Sequence, residues 1–427
     1  MSGAPASVGS TVPRPGPLRR WRLRLVALMA VVGPGLLAGL SDDDPAGITT
    51  YSVLGTDYGY QLLWVLALST LALIIFHGLA VRVGVVTGQG LLGLVRDRYG
   101  PRVGSMTLVL LLIANLGTTC AELAGVAAGL ELFGVSRYIA VPVAAAGVSL
   151  LVLKGAFHRV EHVLIALAAV FVCYVVAGVV ADPDWGAAVH GLVTVSMPVD
   201  RDAAVIVCAT VGTTLAPWGL SFIQSYAVDK KLTVDDLPSE RIDVVVGSIL
   251  TGVIGFFVVV TCAATLHPVG ASISDATDAA DALRPLVGKE APLLFGAGLI
   301  GAAVLAAAIL PLSTAYSVCE FMGREGALDD GFSGAPLFYS TYVTIMGTAA
   351  ALVLLPGVSL VPVLVLTQVL NLVLVLPLMV IMYRLGRDPG VMGTYRVSER
   401  TRAVYLAAIV LVGLCVTALA VLLLPGR

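Results

Sequence analysis

The chain is short of charge. Only 12% of its 427 residues are Asp, Glu, Lys or Arg, about half of what the surface of a soluble domain needs, so a large water-soluble fold is excluded. What replaces the charge is a hydrophobic content of 58% and a mean hydropathy of +0.97. The six cysteines (Cys120, Cys173, Cys208, Cys262, Cys319 and Cys415) stand singly in apolar runs. Without a CxxC or any metal-ligand spacing they form no disulfide framework and no zinc site, and packing is their expected role. No basic tract accompanies the net charge of −2, so nothing here would hold nucleic acid. No His, Ser or Cys arrangement in the apolar runs suggests an enzyme. Basic residues are also absent between Arg324 and Arg384, although that stretch is long enough to cross a bilayer twice.

What is present is a series of apolar runs, each about 18 residues or longer and able to span a hydrocarbon core of about 30 Å. They predict an all-α polytopic membrane protein with eleven spans, near 25–55, 62–82, 105–130, 139–153, 162–181, 203–226, 244–266, 292–319, 338–355, 360–383 and 403–424. The first 24 residues read as a disordered cytoplasmic tail. Residues 25–402 read as the membrane core, in two halves of about 25–181 and 203–383, with 403–427 as an additional helix and C-terminus. The basic approach to the first span resembles a signal peptide, but no small-residue cleavage site follows, so the span is expected to stay. With the amino terminus in the cytoplasm, 20 of the 25 Lys and Arg fall on cytoplasmic segments. That asymmetry predicts an N-in, C-out protein of the cell membrane.

Two spans contain material that a plain membrane helix does not. Span 1 carries "SDDDPAGITT", and span 6, "VIVCATVGTTLAPWGLSFIQS", places Pro217 among Gly212, Thr213, Thr214 and Gly219. In lipid every unpaired backbone group costs several kcal/mol, so a mid-membrane break persists only where it lines a protein-buried site. Spans 1 and 6 are the first helices of the two halves, and five spans per half gives the halves opposite orientation. Paired interruptions in inverted repeats point to a transporter's substrate site.

The well-embedded carboxylates predicted this way are Asp42, Asp43, Asp44 and Glu122, and no embedded Lys or Arg is available to pair with them. A charge at mid-bilayer costs about 2.5–3.5 kcal/mol and is rare without a partner. Acidic groups lacking a basic partner call for a cation.

Together "GPGLLAGLSDDDPAGITTYSVLGTDYGYQLLWVL", "RVGVVTGQGL", "AELAGVAAGLELFG" and "VGTTLAPWGLSFIQS" resemble the Nramp family of divalent metal transporters, from about Gly33 to the end of span 10. The resemblance implies a LeuT-type fold with inverted repeats in spans 1–5 and 6–10 and one further span. It also implies a transported divalent ion rather than a resident cofactor. The family's Asp-Pro-Gly-Asn is here Asp44-Pro45-Ala46-Gly47, which keeps the Asp and loses the Asn ligand. Its Met-Pro-His is Ala216-Pro217-Trp218, which loses a thioether. Span 3 carboxylates of the family's proton path fall on Gly129 and Leu132, leaving Glu122, and the span 9 arginines of that path are absent. This pattern resembles the Nramp-related magnesium transporter branch, in which a wide pocket takes a partly hydrated ion without proton coupling.

The expected metal site is therefore Asp44 as charged ligand, with Glu122 compensating charge across it. Backbone carbonyls near Ser41 and Thr213 would serve, with Gly47 and Ala216 lining the widened space. Asp43 is a further candidate, in an acidic vestibule with Asp42. Gln368 and Asn371 of span 10 either line the pathway or tie helices together, and Trp218 reads as packing or gate. Expected partners are the ion, Mg²⁺ or Mn²⁺, and the lipid bilayer; the oligomeric state is left open, a monomer included. Two rivals stand beside this reading: a proton-coupled Mn²⁺/Fe²⁺ importer, and a carrier of an organic cation such as a polyamine on the same fold. A sensor or scaffold is disfavoured because no appended soluble domain is visible.

Overall fold

The structure is a computed structural model, and it describes residues 34–154, 172–198, 200–273, 291–324, 331–357 and 360–423, with 278 and 288 singly. The predicted tail, span 1 as far as residue 33 and the first half of span 5 (162–171) lie outside the described residues. Every regular element described is helical. Eight helices are long and apolar enough to cross a membrane. Of the other expected spans, the fourth is the shorter apolar helix Arg137–Leu153, and the first and fifth are described only in part.

Helix α1 (Pro34–Asp42) and helix α2 (Pro45–Tyr58) are the two halves of span 1. Pro45 lacks the N–H that would continue α1, and its ring drives the preceding residue out of helical geometry. Asp44 accordingly sits extended, at φ −72° and ψ 170°, and its carboxylate accepts the Gly47 N–H at 2.5 Å as the N-cap of α2. Helices α3 (Leu63–Thr87), α4 (Leu91–Tyr99), α5 (Pro101–Glu131) and α6 (Arg137–Leu153) follow. Gly88, at φ 63°, closes α3 by giving its N–H to Gly84, the left-handed cap that glycine adopts without strain.

After α7 (Val172–Val180) and α8 (Trp185–Val193), span 6 repeats the break as α9 (Arg201–Thr214) and α10 (Pro217–Asp229). Here Pro217 again takes the first helical position and Ala216 is extended, at φ −68° and ψ 138°. An alanine offers no side chain to cap the new helix. The remaining long helices are α11 (Leu237–Thr265), α12 (Ala291–Met322), α13 (Pro336–Val353), α14 (Leu360–Arg387) and α15 (Glu399–Leu423).

Burial orders the bundle. Residues 201–229 are 94% buried across their most apolar window, whereas α15 is 22% buried. The broken span 6 is thus the axis of the molecule, and α15 is a peripheral helix that leaves most of its surface to lipid.

Small residues let the central helices meet backbone to backbone, as membrane helices do when lipid supplies no hydrophobic drive. Gly35 and Gly39 of α1 lie against Val244 and Gly247 of α11, and Thr251 donates its hydroxyl to the Gly39 carbonyl at 2.7 Å. Gly212 of α9 faces the Gln368 carbonyl so closely that a Cβ would collide with it. The Gly212→Leu variant should therefore lose about 1–3 kcal/mol through overpacking, read as a lower Tm in detergent. An unchanged Tm would show that α9 and α14 are not in backbone contact.

Candidate metal centre

The two breaks meet at Gly47. The point that a Cβ on this glycine would occupy lies 3.0 Å from the Asp42 carbonyl oxygen, 3.1 Å from Thr213 Oγ1 and 3.2 Å from Asp44 Oδ1. The bare face of Gly47 is thus a small polar space with three oxygens converging on it. Two of them exist because of the breaks: the Asp42 carbonyl ends α1, where the last four carbonyls have no intrahelical partner, and Thr213 lies in the last turn of α9. Sequence reasoning looked for a freed carbonyl near Ser41; the carbonyl at this point is that of Asp42. Ser41 itself is buried one residue earlier in the same turn.

Glu122 completes the arrangement from α5. Three residues further along that helix, Gly125 gives Pro45 its seat, since a Cβ there would collide with the proline ring. That close approach brings α5 against the span 1 break, and the Glu122 carboxyl stands beside that of Asp44. Glu122 is fully buried, and neither of its carboxyl oxygens receives a hydrogen bond from a protein donor.

Asp42 and Asp43 depart from expectation in part. The sequence placed them among the embedded carboxylates and suggested an acidic vestibule; both side chains are enclosed by protein, at 2% and 0% exposure. The reason is packing: α1 is clasped by α10, α11 and α12, so its last turn faces protein on all these sides. None of the four Asp42 and Asp43 carboxylate oxygens finds a hydrogen-bond partner.

The structure also reveals buried carboxylates that sequence reasoning missed, and the contrast is informative. Asp243 accepts the N–H groups of Gly35 at 2.6 Å and Leu36 at 3.2 Å, capping α1. Glu320 accepts the Ser225 hydroxyl at 2.5 Å and the Leu92 N–H at 3.1 Å, tying α12 to α10 and α4. These two are structural acids, held by donors. At the break only Asp44 has a donor, the Gly47 N–H, while Asp42, Asp43 and Glu122 have none, and among the described residues no ion pair involves any of the four.

His77 was missed as well. It lies buried in α3 with its Nδ1 unpartnered. Its Nε2 is 3.1 Å from the Cβ position of Gly219, a point that Asp42 Oδ1 approaches to 3.9 Å. A single histidine in "LIIFHGLAV" gives no periodic signal, and only the fold brings it near Asp42.

The span 10 amides are buried and bonded to each other. Asn371 donates to Gln368 Oε1 at 2.9 Å and to Thr118 Oγ1 at 3.0 Å, one turn of α5 from Glu122. This is the helix-tying arrangement weighed above. Trp218 packs on Phe222 with ring centroids 6.2 Å apart, and its carbonyl accepts the Ser313 hydroxyl. Ala216 is buried at the second break, while Thr213 Oγ1 has no partner. Among the described residues no group of three or more His, Cys, Asp or Glu side chains is arranged so as to hold a metal ion by itself.

A family profile described as Natural resistance-associated macrophage protein-like, that of Nramp, matches residues 35–422. The chain belongs to the Nramp family. Members of this family are transporters, not enzymes. This Nramp protein is 29% identical over 406 residues to "Divalent metal cation transporter MntH" of Burkholderia ambifaria, across 92% of this chain and 89% of that protein. It is 27% identical over 383 residues to the protein of the same name from Granulibacter bethesdensis, across 87% and 83%.

Among solved structures, the manganese transporter of Eremococcus coleocola superposes with a TM-score of 0.74 at 17% identity, across 98% of this chain and 90% of that one. Mhp1, a nucleobase-cation-symport-1 family transporter, superposes with a TM-score of 0.56 at 15% identity, across 92% and 90%. These likenesses place the Nramp chain in the LeuT-type fold, a multi-pass helical membrane protein broken in spans 1 and 6.

Proposed function

We propose that this Nramp protein carries divalent metal cations, Mg²⁺ and Mn²⁺ foremost, into the cytoplasm by alternating access, without coupling to protons. One observation carries the reading: Asp42, Asp43 and Glu122 are buried without a protein donor or cationic partner of their own, beside Asp44, whereas Asp243 and Glu320 have donors. Burying charge unpaired is costly enough that a transported cation passing through the cluster is the economical explanation for it. Asp44 acts as the charged ligand and Glu122 as the compensating charge. The Asp42 carbonyl and Thr213 Oγ1 add neutral oxygens, and Gln368 and Asn371 hold α14 to the turn that carries Glu122.

The donor set selects hard ions. The three atoms nearest the bare face of Gly47 are oxygens, and carboxylate, carbonyl and water suit Mg²⁺ and Mn²⁺, whereas a thioether favours softer metals. Mg²⁺ gives up its water reluctantly and is usually held by one or two carboxylates. The bare face of Gly47 and the small side chain of Ala216 suit an ion that keeps part of its hydration. The inverted halves, about 25–181 and 203–383, supply the two-fold related breaks. The cytoplasmic amino terminus and a place in the cell membrane follow from the arginine distribution.

Ala216→Met tests the selectivity. Placing a thioether at the second break should raise the potency of Cd²⁺ as a competitor of Mg²⁺ uptake into proteoliposomes by about tenfold or more, the equivalent of one added soft ligand of about 1.4 kcal/mol. Gly47→Asn is a poorer probe, because its Cβ would press on the three oxygens there. An unchanged ranking of ions in Ala216→Met would remove Ala216 from the site.

A further inference from the structure

A second site lies away from the breaks, at the end of the bundle that carries Arg82 and Arg241. A cavity of about 730 Å³ opens there between α3, α11 and α15, within the range of small-ligand sites. Its walls are apolar, with Ile75 from α3, Val245 from α11 and Val404 from α15, and its polar residues are Arg82, Glu240, Arg241, Thr401 and Tyr405.

Those polar groups are incompletely used. Arg82 gives one Nη2 hydrogen bond to the Tyr405 hydroxyl at 3.3 Å, while its buried Nε has no partner. Glu240 is 9% exposed, and its Oε2 is buried without a partner. Arg241 is exposed at the rim. Among the described residues no ion pair joins Glu240 to either arginine. The cavity is thus lined by a cation and an anion that each carry one buried polar atom without a partner, beneath apolar walls.

We propose that this cavity binds the headgroup and upper acyl chains of phosphatidylethanolamine from the leaflet at that end of the protein. The phosphate accepts from the Arg82 and Arg241 guanidinium groups, the ammonium donates to the Glu240 carboxylate, and the acyl chains lie along Ile75, Val245 and Val404. A guanidinium offers phosphate short, charge-assisted hydrogen bonds. Basic pockets between membrane helices on the cytoplasmic side are a recurrent lipid-headgroup arrangement, and in the orientation proposed above this is the cytoplasmic leaflet. A purely anionic lipid would satisfy Arg82 and leave Glu240 facing a like charge. The arginine-rich residues 1–24 of the chain itself would add like charge beside Arg82 and Arg241.

The test is native mass spectrometry of the full chain in detergent, titrated separately with phosphatidylethanolamine, phosphatidylglycerol and phosphatidylcholine. Phosphatidylethanolamine is expected to be retained most strongly. Arg82→Gln should weaken retention of both phosphatidylethanolamine and phosphatidylglycerol. Glu240→Gln, which keeps the shape and removes the anion, should abolish the preference for phosphatidylethanolamine while sparing phosphatidylglycerol. Equal retention of the three lipids, or a preference unaffected by Glu240→Gln, overturns the proposal. So does a photoreactive benzoylphenylalanine at Val404 that cross-links to residues 1–33 of the chain instead of lipid. If Arg82→Gln does not fold, the Glu240→Gln comparison alone decides.

Discussion

Asp44→Ala should reduce divalent uptake to the level of empty proteoliposomes while the protein remains folded and inserted. The carboxylate has two jobs, capping α2 through Gly47 and supplying one of the three oxygens at the meeting point of the breaks. Losing the cap costs about 1 kcal/mol. Against that loss, removing one of four clustered carboxylates relieves like-charge repulsion, so the fold should survive. Asp44→Asn separates the two jobs, because an asparagine still caps a helix but no longer carries charge. It too should be inactive. Glu122→Gln should be milder, about 10- to 100-fold, the usual effect of an outer partner on metal affinity. Full transport by folded Asp44→Asn would mean that the charge at this position is not used.

Transport should be driven by membrane potential and should move no protons. Along α5, Gly129 is packed against Ile300 and the Gly296 carbonyl, and Leu132 reaches the same Gly296. The next carboxylate beyond Glu122 on that helix is Glu131, which pairs with Arg137 at 3.0 Å near the surface. A proton leaving Glu122 along this helix thus meets only apolar side chains. An energy source remains in the voltage. One charge crossing 100 mV is worth about 2.3 kcal/mol, hence about 4.6 for a divalent ion, which sustains a gradient of about three decades at 1.4 kcal/mol each. Proteoliposomes holding a pH dye, with a potassium diffusion potential negative inside, should take up Mn²⁺ in proportion to the imposed voltage with no internal acidification. Stoichiometric acidification that disappears in Asp44→Asn would return the protein to the proton-coupled reading, and voltage-insensitive flux would exclude an electrogenic step.

The breaks were legible in the sequence because they violate the rule for membrane helices in two ways at once. Pro45 and Pro217 remove backbone donors, and carboxylates sit where lipid should be. Glu122 was legible for the second reason alone. Asp243 and Glu320 were not, since each lies at the margin of an apolar run and looks like a surface charge. Their partners come from residues far along the chain, such as Gly35 for Asp243 and Leu92 for Glu320. Asp42 and Asp43 were legible as embedded carboxylates, but what encloses them was not, because the packing of α10, α11 and α12 around α1 is a tertiary fact. Gln368 and Asn371 were left between two roles because amides in an apolar run serve both, and only the Thr118 contact shows what they hold. His77 was overlooked because its only polar neighbourhood is brought by the folded chain.

The most direct measurement is the position of a Mn²⁺ ion by anomalous diffraction from crystals soaked in MnCl₂. A single strong anomalous peak is expected at the breaks, within coordination or one-water distance of an Asp44 carboxylate oxygen, the Asp42 carbonyl and Thr213 Oγ1, with Glu122 across from it. Its loss in Asp44→Asn crystals would complete the assignment. A peak elsewhere in the bundle, or one at the breaks that persists in Asp44→Asn, would contradict it.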